Sequence, residues 1–343
     1  MNERERVLGI DDVAQAAGVS TASVSRALSG KTNVSAAMRD KVLSIANELG
    51  YAVSASASGL ASGKMHSIGV ITPSLGRWYF STVLSGVAEE LARRGYSLTL
   101  YSVPNDIEDR GALFASLARR RAVDALVVVA VEIDHELDTL QRFGIPIILV
   151  GGALGALPSL RGDGEGMARL ATQHLIGLGH TRIAHIGGAP EFDADFHVPA
   201  ERLRGYRNAL EHAGIVSDPS LTQPANFTVR GGRAAALQLL GLEHPPTAIF
   251  AASDEMAIGA ILAAQQLRFR LPEEVSIVGV DGHPLGEVYG LTTVDQNVKM
   301  QGVWAAQHVV DQVEGAAAAP AREELPFSLV VRDSTARHTT HAN

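Results

Sequence analysis

The stretch Ile10-Asp-Asp-Val-Ala-Gln-Ala-Ala-Gly-Val-Ser-Thr-Ala-Ser-Val-Ser-Arg-Ala-Leu-Ser29 decides how the N-terminal part of this chain folds. A helix-turn-helix needs a small residue where its helices cross, a glycine at the turn, and a second helix with outward-facing polar residues. Ala14 and Gly18 meet the first two needs. The outward face of the second helix, opposite Val24 and Leu28, carries Thr21, Ala22, Ser25 and Arg26.

A third helix is predicted to follow at once. Ser35 is a good N-cap residue, and Gly50 is a good stop. Between them, apolar side chains recur at helical spacing at Met38, Val42, Ile45, Ala46 and Leu49. We therefore expect a three-helix domain over residues 8–52. In the first helix we expect Val13, Ala16 and Ala17 to share the inner face.

Residues 53–65 have a different composition. The part Ser54–Ser62 contains only Ala, Ser and Gly with one leucine, Leu60. Such a stretch indicates a linker or a marginal helix, and Gly59 alone costs a helix about 1 kcal/mol relative to alanine.

From Ser67 onward, short apolar runs alternate with amphipathic helices, which is typical of parallel sheets covered by helices. We predict two doubly wound subdomains within 66–335, and a disordered tail at 336–343. The N-subdomain is predicted at about 66–162 and 297–323, and the C-subdomain at about 163–296 and 324–335. The predicted strands are Ile68–Ile71, Ser97–Tyr101, Ala125–Val131, Pro146–Val150, Arg182–Ile186, Thr247–Ala251 and Val275–Val280. The predicted helices include Ser81–Arg94, Arg110–Arg121, Met167–Leu178, Glu201–His212, Gly232–Leu240 and Glu255–Leu267.

Composition excludes several classes of protein. There is no cysteine in the 343 residues, so disulfides and thiolate metal sites are excluded. No apolar run reaches the roughly 20 residues that a membrane helix needs, and the charged start Met1–Arg6 has no apolar stretch behind it. We therefore expect a cytoplasmic protein. The net charge is −8, but residues 1–64 hold seven basic and six acidic side chains, so the acidity lies elsewhere.

The motifs of several common enzyme classes are missing from the sequence. The sequence has no dinucleotide fingerprint, no P-loop and no serine nucleophile elbow. His174, His180 and His185 are close in sequence but do not form a helical metal pair. We expect no catalytic activity, no metal and no cofactor.

The helix-turn-helix resembles the LacI/GalR family, whose members share the pattern from Asp12 to Arg26. The resemblance continues at Val34-Ser35, Arg39 and Glu48–Tyr51. It implies that Thr21, Ala22 and Arg26 contact bases in the major groove. The hydroxyl and amide side chains of Ser20, Ser23, Ser25, Asn33 and Ser35 are candidate phosphate contacts, with helix capping as the alternative for Ser20 and Ser35. Arginine commonly binds guanine through two hydrogen bonds, whereas Ala22 offers only a methyl group.

In this family a hinge helix places a leucine in the minor groove, and the matching residue is Leu60. The hinge departs from the family pattern, because Val53-Ser54 replaces the usual Pro-Asn and the usual arginine is missing. A plain flexible linker is the alternative interpretation of this segment.

The rest of the chain resembles the family's regulatory core, which has the periplasmic-binding-protein fold with a ligand between two subdomains. The resemblance implies that Arg202 and Asp281 hold effector hydroxyls; a structural salt bridge is the alternative. It also places Trp78, Tyr79, Phe227, Ser253 and Gln296 at the ligand, with packing or loop roles as the alternative. The motifs that carry it are Leu170–Leu175, Leu178–Ala184, Ile186–Gly188, Arg202–Tyr206, Pro246–Asp254, Met256–Ala260, Pro272–Asp281 and Leu291–Gln296.

The expected function is therefore a DNA-binding transcription regulator, a repressor controlled by a small molecule, most simply a sugar. We expect a homodimer on a roughly palindromic operator, with no membrane partner. The first alternative is the same architecture sensing a nucleobase or nucleoside. The second is a secreted sugar-binding transport protein, against which the helix-turn-helix and the missing signal peptide argue.

Overall fold

The computed structural model describes residues 8–28, 34–51, 64–103, 107–120, 122–130, 144–152, 156–188, 198–316 and 320–339. These residues fall into two compact units. The first contains the chain up to Ser67 together with Ala122–Asp124, and the second contains the rest. The predicted hinge segment 53–63 lies outside the described residues.

Three helices form the first unit, as the sequence predicts: α1 (Ile10–Ala17), α2 (Thr21–Leu28) and α3 (Ala36–Glu48). Gly18 has φ +67°, a left-handed conformation that favours glycine, and its N–H donates to the last turn of α1. The hydroxyl of Ser20 accepts a hydrogen bond from the N–H of Ser23, and that of Ser35 accepts one from the N–H of Met38. Both predicted caps are confirmed.

The core of this unit is small and made of short side chains. One prediction about it is wrong: α1 buries Val13, Ala14 and Ala17, whereas Ala16 is exposed. Val13, Ala14 and Ala17 are spaced by one and three positions, so they lie on one narrow face of this eight-residue helix. Ala16 lies outside that face. From α2 and α3 the buried residues are Val24, Ala27, Val42 and Ala46.

A five-stranded sheet, in the order β2-β1-β3-β4-β5, begins the second unit. Strands β1, β3, β4 and β5 pair in parallel, and every residue of β1, β3, β4 and β5 is buried, as expected of a sheet covered on both faces. Its elements are β1 (Ser67–Thr72), α4 (Trp78–Arg93), β2 (Ser97–Ser102), α5 (Ile107–Arg120), β3 (Ala125–Val129), β4 (Ile147–Val150) and β5 (Ser159–Leu160).

A six-stranded sheet follows, in the order β11-β10-β9-β8-β6-β7. All of its pairs are parallel except that of β10 with β11. The fold class predicted from sequence is confirmed. The elements are α6 (Gly164–Gly177), β6 (Ile183–Gly188), α7 (Val198–His212), β7 (Thr222–Ala225), α8 (Val229–Leu240), β8 (Ala248–Ala251), α9 (Asp254–Gln266), β9 (Ser276–Asp281), α10 (Leu285–Val288), β10 (Thr292–Asp295), α11 (Val298–Glu314) and β11 (Ser328–Val330).

The chain returns to the first sheet after β10. Helix α11 packs against α4 and against strands β3 and β4. We call β1–β5 with α4, α5 and α11 the first-sheet half, and the elements around β6–β11 the second-sheet half. Residues 296–297, between β10 and α11, therefore lie at a junction of the two halves.

Close glycine contacts join several helix pairs. A Cβ on Gly302 of α11 would overlap the carbonyl oxygen of Val83 on α4, and a Cβ on Gly86 would overlap the carbonyl oxygen of Lys299. Helices α8 and α9 meet in the same way at Gly232. These glycines let the helix backbones approach closely, so they are required by packing rather than by a turn.

The chain end corrects another prediction. Residues 336–339 were expected in a disordered tail, but Ala336 accepts a hydrogen bond from buried His180 through its carbonyl and donates one to Ser276. The N–H of His338 donates to the carbonyl of Leu178. This segment supplies partners to polar groups of the second-sheet half, which a composition argument does not reveal. Residues 340–343 lie outside the described part.

Candidate functional site

The outward face of α2 has the composition that the sequence predicts. Thr21, Ala22 and Arg26 are exposed, and Ser25 is half-buried. The guanidinium of Arg26 lies along its own helix, where Nε donates to the carbonyl of Ala22 (3.1 Å) and Nη2 to the hydroxyl of Ser23 (3.4 Å). Asn33 and Leu60 lie outside the described residues.

A cleft opens at the carboxyl ends of strands from both sheets, the usual place for ligands in open α/β folds. The open space between the two halves is about 980 Å³, measured out to the solvent. The first-sheet half lines it with Tyr79 and with small residues after β3 and β4, Ala130 and Gly151. The predicted residues that line it are Tyr79, Arg202, Phe227, Ser253, Asp281 and Gln296.

Arg202 and Asp281 form the buried floor of the cleft. They are 5% and 6% exposed, and 3.7 Å separates Nη2 of Arg202 from Oδ1 of Asp281. Nη1 of Arg202 donates to the carbonyl of Ala252. Nε of Arg202 is buried and has no hydrogen-bond partner among the described residues. An unsatisfied buried donor is costly, so this guanidinium retains capacity for a ligand oxygen.

Strained backbone is concentrated at this site. Among the described residues, six other than glycine have positive φ, and three of them line the cleft: Ala130 (49°), Phe227 (55°) and Asp281 (137°). Such conformations cost about 1–3 kcal/mol each and persist where the surrounding structure enforces them. The fold therefore holds Asp281 in place against its own backbone preference.

Burial dominates the electrostatics of the acidic side chains here. Burial raises the pKa of Asp281 to about 6, opposed by the nearby Arg202. Behind it, burial and the charge of Asp281 raise the pKa of Asp254 to about 7. Asp254 accepts hydrogen bonds from the hydroxyl of Thr293 and the backbone N–H of His283, both at 2.7 Å. Asp254 thus fixes the loop after β9, and Asp281 faces the cleft.

A row of hydrogen bonds runs from Asp281 to Tyr79. Nε2 of Gln296 donates to Oδ1 of Asp281 at 2.6 Å. Nε2 of Gln301 donates to the backbone carbonyl of Gln296 at 3.1 Å and lies 3.4 Å from its side-chain Oε1. The hydroxyl of Tyr79 donates to Oε1 of Gln301 at 2.7 Å, and burial raises the pKa of this phenol.

Two ring contacts connect the halves beside the cleft. Trp78 does not line the cavity itself; its ring lies 4.6 Å from that of His283. The guanidinium of Arg77 lies 5.9 Å from the ring centre of Phe227, a cation–π contact. Both contacts join the start of α4 to the second-sheet half.

Ser253 has a structural role besides its place at the cleft. Its hydroxyl caps α9 by accepting a hydrogen bond from the N–H of Met256. The packing or loop role that the sequence left open for this residue is therefore present in the structure.

Sequence reasoning missed five polar residues of the cleft. Burial, followed by the charge of Asp281, raises the pKa of Glu255 to about 6, and Arg77 opposes this shift. Arg161 forms an ion pair with buried Glu201. Of these, Glu201 could have been predicted from the sequence, because it directly precedes Arg202. The missed residues are Arg77, Arg161, Glu201, Glu255 and Gln301.

Comparison with known proteins identifies the family. Residues 9–54 match the model for bacterial regulatory proteins of the lacI family, and residues 172–335 match a periplasmic binding protein-like domain. The HTH-type transcriptional repressor PurR of Vibrio vulnificus is 31% identical over 331 residues, covering 95% of this chain and 98% of the relative. This chain belongs to the LacI family. It is a DNA-binding transcriptional regulator.

Solved structures of LacI-family proteins match over nearly the whole chain. The lac repressor dimer bound to operator and an anti-inducer is 26% identical, with a TM-score of 0.84, and covers 96% of this chain and 100% of its own. A complex of the regulator CelR with cellobiose is 30% identical, with a TM-score of 0.69, and covers 95% and 99%. The LacI-family relatives are regulators and not enzymes.

In the described ranges, no group of three or more His, Asp or Glu side chains is arranged to hold a metal ion. None of the helices in those ranges is long and apolar enough to span a membrane.

Proposed function

We propose that this LacI-family regulator is a repressor that binds a roughly palindromic operator as a homodimer, and that a carbohydrate in the cleft controls its affinity for DNA. The observation that carries the ligand assignment is the buried pair Arg202–Asp281. The guanidinium and the carboxylate are 3.7 Å apart, too far for a good direct hydrogen bond. A ligand hydroxyl between them could accept from the guanidinium and donate to the carboxylate.

The charge of the cleft favours a neutral ligand. Its lining contains three arginines and three carboxylates, and each arginine interacts with one carboxylate: Arg202 with Asp281, Arg161 with Glu201, and Arg77 with Glu255. An anionic ligand would have to compete with these carboxylates. A neutral polyol can use donors and acceptors together. The related CelR structure contains cellobiose.

The DNA-binding part of the proposal rests on α2. Thr21, Ala22 and Arg26 are exposed on one helix, where they are available to base edges in a major groove. Ser25, Asn33 and Leu60 complete the proposed DNA contacts. The operator-bound dimer of the related lac repressor supports a dimer for this chain.

A nucleobase or nucleoside is the second candidate effector. The aromatic rings of Tyr79, Phe80 and Phe227 line the cleft and offer faces on which a base could stack. Arg77 already covers Phe227 at 5.9 Å, so a stacked base would have to displace this guanidinium.

One panel experiment tests the ligand class. The melting temperature of the full chain is measured with cellobiose, maltose, ribose, hypoxanthine and adenosine, each at millimolar concentration. A ligand at 100 times its dissociation constant stabilises the folded protein by about 2.7 kcal/mol, a readily measured shift. A shift with a sugar alone supports the proposal, and a shift with hypoxanthine or adenosine alone overturns it. An operator selected from random DNA is then titrated with and without the active compound.

A further inference from the structure

The hydrogen bonds between Tyr79 and Asp281 have a fixed direction. The carboxylate of Asp281 can only accept, so Gln296 must present Nε2 to it and leave Oε1 pointing away. Gln301 then presents Nε2 to Gln296, and its remaining Oε1 must accept from the hydroxyl of Tyr79. Each side-chain amide therefore has one orientation, set by the buried carboxylate at the end of the row.

These hydrogen bonds also cross between the two halves of the second unit. Tyr79 is in the first turn of α4 and Gln301 in the first turn of α11, both in the first-sheet half. Asp281 ends β9 in the second-sheet half, and Gln296 lies at the junction between them. Gln301 is 6% exposed, so water competes little for its hydrogen bonds.

We propose that Gln301 is a positioning residue that ties the start of α4 to the Gln296–Asp281 side of the cleft and so holds the two halves together. The residue does this by accepting from the hydroxyl of Tyr79 while it donates to Gln296. When these bonds are lost, the start of α4 keeps only its ring contacts to His283 and Phe227 across the halves, and the cleft opens more easily.

Opening of the cleft should change the environment of Trp78, the direct neighbour of Tyr79. The ring of Trp78 lies against His283 of the second-sheet half, with 4.6 Å between ring centres. If the tether at Tyr79 is released, this contact opens and Trp78 becomes more accessible to solvent. Trp78 is thus a built-in reporter, since the only other tryptophan, Trp304, is buried.

This inference deepens the proposed function, because holding the halves together matters for regulation only if the cleft binds an effector. The tether itself is measured on the ligand-free protein. A panel without any hit would overturn the proposed function and leave the tether standing. Unchanged Trp78 accessibility would overturn the tether and leave the proposed function standing.

The test is acrylamide quenching of Trp78 in a Trp304→Phe background, with unfolding by urea measured in parallel. Gln301→Met keeps the length of the side chain but removes its amide, and Gln312→Met on the same helix, outside the cleft, is the matched control. If the Trp304→Phe background does not fold, the same comparison is made in the two-tryptophan protein, where buried Trp304 adds a constant background.

The double variant Tyr79→Phe with Gln301→Met separates positioning from simple stability. Gln301→Met alone leaves the hydroxyl of Tyr79 buried and unpaired, whereas the double variant removes both partners and regains stability. We expect the quenching constant to rise about twofold in the single and in the double variant, since both lack the tether, and to stay unchanged in Gln312→Met. A double variant that regains both stability and wild-type quenching, or a single variant with wild-type quenching, would overturn the proposal.

Discussion

Arg202 and Asp281 face each other at the floor of the cleft with 3.7 Å between their nearest nitrogen and oxygen, while Nε of the same arginine has no partner among the described residues. A purely structural ion pair in so buried a place would be expected to close this gap and to satisfy the remaining donor. The pair instead resembles one half of a hydrogen-bonding network whose other half is a ligand.

Arg202→Lys tests this interpretation. Lysine keeps the positive charge beside Asp281 but loses the planar fork, so a protein with this change should still bind operator while it loses charge-assisted hydrogen bonds to the effector. Losing one such bond should weaken effector binding by about ten- to a hundredfold. Calorimetry with the panel's active sugar measures this. Arg204→Lys, exposed on the same helix, is the control and should bind normally.

Arg26→Ala should lower the preference for operator over random DNA. The side chain is exposed on α2, and a bidentate contact to guanine contributes about 1–3 kcal/mol of discrimination. The measurement is the ratio of the two affinities at fixed salt. Lys41→Ala, exposed on α3, should lower both affinities alike if it has any effect. A ratio that survives Arg26→Ala would show that another residue carries the specificity.

Asp254→Asn should change how stability depends on pH. Burial raises the pKa of Asp254 from 3.8 to about 7, so the folded protein holds a proton that the unfolded chain releases. The resulting stabilisation is complete below pH 4 and is lost as the pH rises through 7. Relative to the variant, the wild-type free energy of unfolding should therefore fall across this window, by up to about 1.4 kcal/mol per pH unit.

The comparison must be made as a difference between the two proteins. Burial lowers the pKa of His185 to about 3, and this residue works in the opposite direction by favouring the folded state as the pH rises. It is present in both proteins and cancels. Urea titrations at pH 5, 6 and 7.5 suffice. Parallel curves for wild type and variant would mean that Asp254 is ionised throughout.

Gly302→Ala and Gly177→Ala should change stability in opposite directions, although both glycines lie in helices. A Cβ at Gly302 would overlap the carbonyl oxygen of Val83 on α4, whereas nothing lies within 4 Å of a Cβ at Gly177. We expect Gly302→Ala to destabilise by about 1–3 kcal/mol. Gly177→Ala should stabilise by up to about 1 kcal/mol. Urea unfolding of the two variants measures this, and a neutral Gly302→Ala would contradict the close approach of α4 and α11.

The helix-turn-helix could be predicted in detail because its signals are local. The turn at Gly18 and the cap at Ser35 act within four residues of themselves. Helix α11, in contrast, was missed. It packs on one side against α4 and on another against the sheet, so its buried face is broad and includes the polar Gln301 as well as Gly302. Gly302, near the start of this helix, also disfavours a helix by propensity, and the close approach of α4 explains its presence.

The cleft was predicted unevenly for a similar reason. Arg202 and Asp281 were found through their family motifs, and not from any rule of spacing. Gln301 had no such motif, and its partner Tyr79 is 222 residues away. No local pattern indicates a hydrogen bond over that separation. Trp78 was expected at the ligand; its ring lies against that of His283, and it is not among the residues that line the cleft.

The first-sheet side of the cleft also determines which sizes of ligand the cleft can accept. At Ala130, Gly151 and Gly162 the cleft is lined by main chain and at most one methyl group. The small size of these residues therefore determines how much space a ligand has on this side. Gly151 has φ +85° and resists replacement, but a Cβ at Gly162 would meet first only the flexible end of Met167, at 3.3 Å. Ala130→Ser and Gly162→Ala should therefore reduce the volume available to large ligands and leave the Arg202–Asp281 pair unchanged. If the cleft binds the proposed effector, substitutions at these positions would shift its preference towards smaller molecules while Arg202 and Asp281 stay unchanged.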